Sequence, residues 1–297
     1  MKLVAIFLVF IAGIMWAGSG LAAQDFFSKS SLDAMDLTVF RMFCAGSIMF
    51  VLTMAKRKLG EGIRALERRP MLWLELIFYG LVGLMLMHYT YFASIAAGNA
   101  AAATVIQYTC PALVILWVSF SERRWPSKGE AASVILAVVG VFLLVTGGDV
   151  SRLSVPFDCV YLGLASAVFF AVCCVYPKHL IGELDNSLML SIGMFIGAIA
   201  AFAVDPLGDF SGFFEESVLF DVVLIVICGT AIAFTCYNAG LRYLSESQAS
   251  VTATVEPAVS VLASCFLFNT HFGGWQGLGI LMVLLAIAAP GLLNERK

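Results

Sequence analysis

The sequence predicts an all-α integral membrane protein in which ten transmembrane helices form two inverted five-helix repeats, and three observations carry that expectation. Of 297 residues 61% are hydrophobic and 12% charged, about half the charge of an average soluble domain. Ten apolar stretches reach the roughly 20 residues that a helix needs to cross the hydrocarbon core of a bilayer. The second half of the chain matches the first at a constant offset of 146 residues. Such a composition cannot cover the water-facing surface of two soluble domains. It excludes a cytosolic enzyme, a nucleic-acid binder and a disordered scaffold, and it makes the lipid bilayer the solvent.

The spans read along the chain are 3–24, 35–54, 71–93, 99–119, 130–147, 157–178, 186–204, 218–240, 247–268 and 273–293. Each must be helical, because a backbone amide left unpaired in lipid costs several kcal/mol. The loops between them are too short to hold a soluble domain. Met1-Lys2 and the small residues Leu21-Ala22-Ala23 resemble a secretory leader. The apolar run is longer than a leader core of about 7–15 residues, so it reads as a retained first helix. The eight cysteines all fall in apolar runs without a CxxC pair and read as packing residues.

Orientation follows from the basic residues, which stay on the cytoplasmic side. One set of alternate loops and ends holds Lys2, Lys56, Arg57, Lys58, Arg64, Arg68, Arg69, Arg123, Arg124, Lys128, Lys178, Arg242, Arg296 and Lys297. The other holds only Lys29 and Arg152, while the 205–217 loop carries Asp205, Asp209, Glu215 and Glu216 with no basic residue. Both termini are therefore expected in the cytoplasm, in a multi-pass protein of the cell (inner or plasma) membrane.

The offset of 146 pairs Tyr91 with Tyr237, Ala93 with Ala239, Ala103 with Ala249, Val105 with Val251, Pro111 with Pro257, Ala112 with Ala258, Leu116 with Leu262 and Phe120 with Phe266. Chance identity between Ala- and Val-rich helices accounts less easily for the equally spaced Tyr, Pro and Phe. Halves of five spans each, 1–147 and 157–293, enter the membrane in opposite senses because five is odd. Inverted repeats are the usual construction of secondary transporters, with the substrate site near the midplane between them.

Two stretches carry a family resemblance. YFASIAAGNAAAATVIQYTCPALVILWVSFSERRW (91–125) resembles the third-to-fourth-helix region of EamA-type members of the drug/metabolite transporter superfamily, and YNAGLRYLSESQASVTATVEPAVSVLASCFLF (237–268) resembles the same region of their second repeat. The likeness extends over nearly the whole chain, including Trp16 and Arg41. It implies ten helices in two inverted repeats around a central cavity, and alternating-access movement, often outward, of amino acids, drugs or other small metabolites. The chain departs from repeat symmetry at Ser121-Glu122, where the second half has Leu267-Phe268.

Several residues are candidates for the chemistry of movement. Glu256 falls mid-helix, where a charge costs about 2.5–3.5 kcal/mol on insertion scales, so it faces protein or water. It is either a proton-coupling site, protonated in one state and ionised in another, or a structural carboxyl bonded to backbone disturbed by Pro257. Its repeat mate is Cys110, which makes the acid an asymmetry between the halves. Pro111 and Pro257 each remove an N–H and free a carbonyl one turn earlier, those of Gln107 and Ala253. They read as hinges or as static kinks. Gln107 and Thr104 share the face that leads to Pro111. With the adjacent Tyr108 they are expected to line the cavity, with packing between helices the alternative for Gln107.

Arg41, about 9 Å inside the outer end of its helix, reaches headgroups or caps a neighbouring helix end, or pairs with a substrate carboxylate or with Glu256. Glu75 is placed to meet Arg68 or Arg69. His88 titrates near neutral pH when unperturbed and is either a cavity residue or a packing residue. Tyr91 and Tyr237 read as a pair of gates near opposite faces or as members of an aromatic belt, with Asn238 a polar candidate at the inner mouth. Trp16 either stacks on a solute or packs, and its neighbours Gly13, Ala17 and Gly20 suit close helix contact.

The expected activity is secondary transport of a small organic solute, without bond chemistry, cofactor or metal, by a monomer or weak homodimer. No GxxxxGK[ST] loop is present, so energy would come from gradients, with or without proton coupling. With Arg41 the sole basic residue inside a span, an amphipathic or zwitterionic solute such as an amino acid fits better than a nucleotide sugar. An intramembrane serine hydrolase built on Gly18-Ser19-Gly20 and His88 would need those side chains within hydrogen-bond distance. A non-transporting membrane subunit would need a docking domain that the short loops do not provide.

Overall fold

Apolar stretches bounded by polar caps fold into helices throughout the described part of the computed structural model, which comprises residues 2–149, 151–176, 180, 183–206, 210–241, 243–244, 252–253 and 255–294. Seven helical segments are long and apolar enough to cross a membrane: Leu3–Lys29, Ala34–Ala55, Met71–Ala97, Ala100–Ser121, Lys128–Thr146, Asn186–Val204 and Glu216–Tyr237. Three shorter apolar helices, Phe157–Cys173, Val255–Leu267 and Gly274–Ala289, occupy the remaining predicted stretches. This is a multi-pass membrane protein.

Local chemistry sets the helix ends. The second helix opens with Asp33, whose carboxylate accepts from the N–H groups of Met35 at 2.7 Å and Asp36 at 2.9 Å, while Asp36 bonds back to the Asp33 N–H. Ser127 and Glu130 form the same reciprocal box before Lys128–Thr146, and Asn99 caps Ala100–Gln107. Each box satisfies backbone donors that a helix start leaves orphaned. Lys128–Thr146 ends at Gly147, whose φ of 60° is a left-handed conformation that glycine adopts without strain.

Two membrane helices are not α-helical throughout. Met71–Ala97 passes through a π-helical segment, Tyr79–Met85, and Glu216–Tyr237 through another, Leu224–Ile232. At the 146-residue offset these segments coincide within one residue, and Gly83 falls on Gly229. A third helix, residues 100–121, is broken at Tyr108-Thr109 into Ala100–Gln107 and Cys110–Ser121. The break lies just before Pro111, where the expected kink falls.

Helices of the two halves interleave. Lys128–Thr146 packs along Gly274–Asn294, Ala34–Ala55 along Asn186–Val204, and Ala100–Gln107 against Val255–Leu267. Lys2–Lys29 lies against Leu224–Leu241, and Leu86–Ala97 against Phe157–Val175. Glycines permit the closest crossing: a Cβ on Gly140 would stand 2.7 Å from the Gly279 carbonyl oxygen, and one on Gly279 would collide with the Gly140 carbonyl.

One element escapes a search for span-length apolar windows. Leu59–Arg68 is a short amphipathic helix, and its Leu59, Ile63 and Leu66 line an apolar cleft of about 320 Å³ with Phe50, Trp73, Leu188 and Ile192. The expected ion pair of Glu75 forms with Arg69 at 2.7 Å.

The glycine crossing is testable. Gly140→Leu should destabilise the detergent-solubilised protein by about 1–3 kcal/mol, the usual cost of overpacking, and lower its melting temperature. Gly277→Leu, in a position with open space around the Cβ, should leave melting unchanged.

Candidate functional site

Charged and polar side chains in hydrocarbon have to find one another or water, and in this chain they gather between the halves. Arg41, His88, Tyr91, Thr104, Tyr108 and Glu256 are all buried. Arg41 and Glu256 lie within electrostatic reach of each other and of Tyr91, and Arg41 of His88. The Tyr91 hydroxyl pairs with Thr104 Oγ1 at 2.9 Å. Gly20 lets that ring approach, since a Cβ there would stand 2.7 Å from the Tyr91 hydroxyl.

Arg41 is 6% exposed, and it is held by the second π-helical segment. Its Nε donates to Thr230 Oγ1 at 3.2 Å and its Nη2 to the Gly229 carbonyl at 3.4 Å. The guanidinium lies 5.1 Å from the centroid of the Phe92 ring, a cation–π geometry. Among the described residues Arg41 has no ion pair. It turns inward to the protein.

Glu256 is 7% exposed. Its Oε2 accepts from the Tyr108 hydroxyl at 2.7 Å, and the same hydroxyl lies 3.3 Å from the Ala253 carbonyl oxygen. That carbonyl is the one Pro257 leaves without a helical donor. Tyr108 is positioned by the break in its own helix. The interrupted helix of the first half therefore reaches into the proline-disturbed helix of the second.

The remaining candidates are distributed differently. Gln107 donates to Ser166 Oγ at 2.6 Å, and Ser166 donates to the Met87 carbonyl at 3.3 Å, so Gln107 joins helices and does not turn toward Glu256. His88 Nδ1 contacts the Leu84 carbonyl at 2.8 Å, a contact within its own helix. Trp16 meets Tyr237 with ring centroids 5.2 Å apart. Tyr91 is buried, whereas Tyr237 is partly buried. The side chain of Asn238 lies outside the described residues.

Sequence reasoning did not find Thr230, Phe92, Ser166 or the Ala253 carbonyl as partners. The freed carbonyl was legible from Pro257, but its donor 145 residues away was not. Among the described residues no group of three His, Cys, Asp or Glu is gathered as a metal site requires. A second apolar cleft of about 280 Å³, lined by Ile48, Leu52, Ala231, Ile232, Thr235 and Cys236, lies outside the polar cluster.

The Arg41 contacts predict a double-mutant cycle. Thr230→Val should cost about 1–3 kcal/mol, because it strands a buried guanidinium donor. Arg41→Met combined with Thr230→Val should cost less than the sum of the single changes, since removing both partners leaves nothing stranded. Thermal melts of the purified protein in one detergent measure all four corners.

Comparison with known proteins places this geometry in a family. The chain is 26% identical over 289 residues, 97% of its length and 95% of the relative's, to an uncharacterized inner membrane transporter, YicL, of Salmonella typhimurium. It is 24% identical over 189 residues to an uncharacterized transporter in the sor 3′ region of Acidianus ambivalens, covering 62% of this chain and 71% of that one. A solved structure described only as a crystal structure of a protein shares the fold, with a TM-score of 0.67 over 98% of both chains at 19% identity. The model of the EamA-like transporter family matches two segments, residues 3–146 and 159–289, and with nearly the whole length covered the chain belongs to that family.

Proposed function

We propose that this protein is a secondary transporter that moves a small organic solute, an amino acid, drug or related metabolite, by alternating access between two inverted five-helix repeats. The repeats are residues 1–147 and 157–293, the helices cross the membrane ten times, and both termini lie in the cytoplasm. The direction is export across the cell (inner or plasma) membrane, by a monomer or weak homodimer.

The observation that carries this reading is the buried polar cluster, because Arg41, Tyr91 and Tyr108 come from the first half and Glu256 from the second. Charges at that depth cost stability and contribute nothing to a merely structural bundle. Helix pairing supports the repeat. Exchanging each helix for its counterpart five spans on converts the contact of the first with the eighth into that of the sixth with the third, and leaves the second–seventh, fourth–ninth and fifth–tenth contacts in place. The coincident π-helical segments and the two separate family matches support the same division.

In this mechanism the solute binds between the repeats. The broken helix at Tyr108-Thr109 and the proline-bearing helix at Pro257 act as hinges, and Tyr91 and Tyr237 act as gates toward opposite faces. Trp16, which already meets Tyr237, and Thr104 complete the solute's surroundings. Asn238 and His88 are further polar residues that could contact the solute. Glu256 carries the coupling proton, because among the described residues it is the buried acid in contact with both interrupted helices.

Counterflow in proteoliposomes preloaded with a panel of amino acids tests this. Wild type should accumulate at least one of them. Glu256→Gln should still exchange it but lose net movement driven by a pH gradient. Exchange of no panel member would remove the amino-acid assignment, and an unchanged pH response in the mutant would make Glu256 structural.

A further inference from the structure

Tyr108 has one hydroxyl proton and two acceptors, Glu256 Oε2 at 2.7 Å and the Ala253 carbonyl at 3.3 Å. The two acceptors differ in kind. One is a carboxyl that gains and loses a proton, and the other is a backbone carbonyl that Pro257 leaves without its helical donor. We infer that Tyr108 is a positioning residue whose hydroxyl turns between them, so that proton binding at Glu256 is converted into a tie between the two interrupted helices. This rests on the reading of Glu256 as the coupling group.

When Glu256 is ionised it can only accept, so the Tyr108 O–H donates to it in a charge-assisted bond. The Ala253 carbonyl then lacks a donor. When Glu256 takes a proton from water its carboxyl O–H donates to the Tyr108 oxygen, and the Tyr108 O–H turns to Ala253. Tyr108 keeps its own proton throughout, and no other bond changes. The ionised state ties the helices through a Glu side chain with several rotatable bonds. The protonated state ties them through backbone at Ala253, with every polar group in the chain of bonds satisfied.

The position of Tyr108 gives that difference leverage. It is the C-cap of Ala100–Gln107, and with Thr109 it forms the break before Cys110–Ser121. Ala253 and Glu256 bracket the start of Val255–Leu267. Of the helices packed against that segment, Lys2–Lys29 turns Gly13 to Val255, and Ala100–Gln107 leads into Tyr108 itself. The charged and titratable groups that sense Glu256 are Arg41, Tyr91 and Tyr108, and Tyr237 lies within reach of Tyr108.

The test needs no solute. Hydrogen–deuterium exchange of the full-length protein in nanodiscs, read as protection factors for peptides covering residues 104–113, is compared at about pH 5 and about pH 9.5, two values far enough apart to span the range over which buried carboxyls titrate. Wild type should be about two- to tenfold more protected at the lower pH, the factor one hydrogen bond contributes. Glu256→Gln, whose amide can donate to Tyr108 at any pH, should stay at the low-pH level. Tyr108→Phe should be insensitive to pH.

Pro257→Ala, which returns a helical donor to the Ala253 carbonyl while keeping Tyr108 and Glu256, should also lose the difference, and it serves where another variant folds poorly. A pH difference that persists in Tyr108→Phe, or Glu256→Gln at the high-pH level, overturns the proposal. Failure of counterflow alone would instead count against the transport reading, because the exchange experiment does not depend on a solute.

Discussion

In hydrocarbon no water is available to complete a hydrogen bond, so each backbone group that a helix fails to pair has to be paired by the protein. Regular helices meet that demand locally, and most of this chain is regular helix. The departures are concentrated where the halves meet. Side chains from a distant helix serve them: Arg41 at the Gly229 carbonyl of a π-helical segment, and Tyr108 at the Ala253 carbonyl before Pro257. Elsewhere Ser94 donates to the Cys159 carbonyl, Ser191 to that of Gly46, and Gln276 to that of Leu144. These last bonds join regular helices to one another. The first two join polar groups to irregular backbone, and only those involve ionisable chemistry.

The same constraint explains why charge and irregularity coincide. A guanidinium buried without an ion pair needs acceptors of high quality, and a π-helical turn supplies one because its widened hydrogen-bond pattern leaves a carbonyl open. Thr230 adds a hydroxyl and Phe92 a ring face. Glu256 stands near a proline for a related reason, since the broken ladder brings Tyr108 close enough to serve carbonyl and carboxyl together. In the proposed repeat the π-helical segments are symmetric but these charges are not: Glu256 falls opposite Cys110. On that proposal the scaffold is duplicated, while the chemistry is placed once.

Much of the architecture was legible because it follows from composition and period. Seven of the ten apolar stretches became helices of span length and the other three hold shorter apolar helices among the described residues, while the Glu75–Arg69 pair followed from the place of Glu75 about one turn inside its helix. Leu59–Arg68 was legible too, in the spacing of Leu59, Ile63 and Leu66, but a window long enough to find membrane spans averages so short a helix away. The π-helical segments carry no composition of their own. Gly83 and Gly229 hint at them only once the offset is extended upstream of Tyr91.

For the polar cluster, the sequence supplied the members but not the pairings. Glu256, Arg41 and Tyr91 are conspicuous because each is expensive in lipid, and expense can be read one residue at a time. Partnership cannot, because it depends on which helices cross and at what depth. Gln107 illustrates this: its position beside Pro111 pointed to a cavity, yet the crossing of residues 157–175 offers it Ser166. Tyr108, its neighbour, turns about 100° further round the helix and so meets Glu256 and the Ala253 carbonyl on a different helix. One residue of helical phase separates a group that holds two helices together from a group that can respond to a proton.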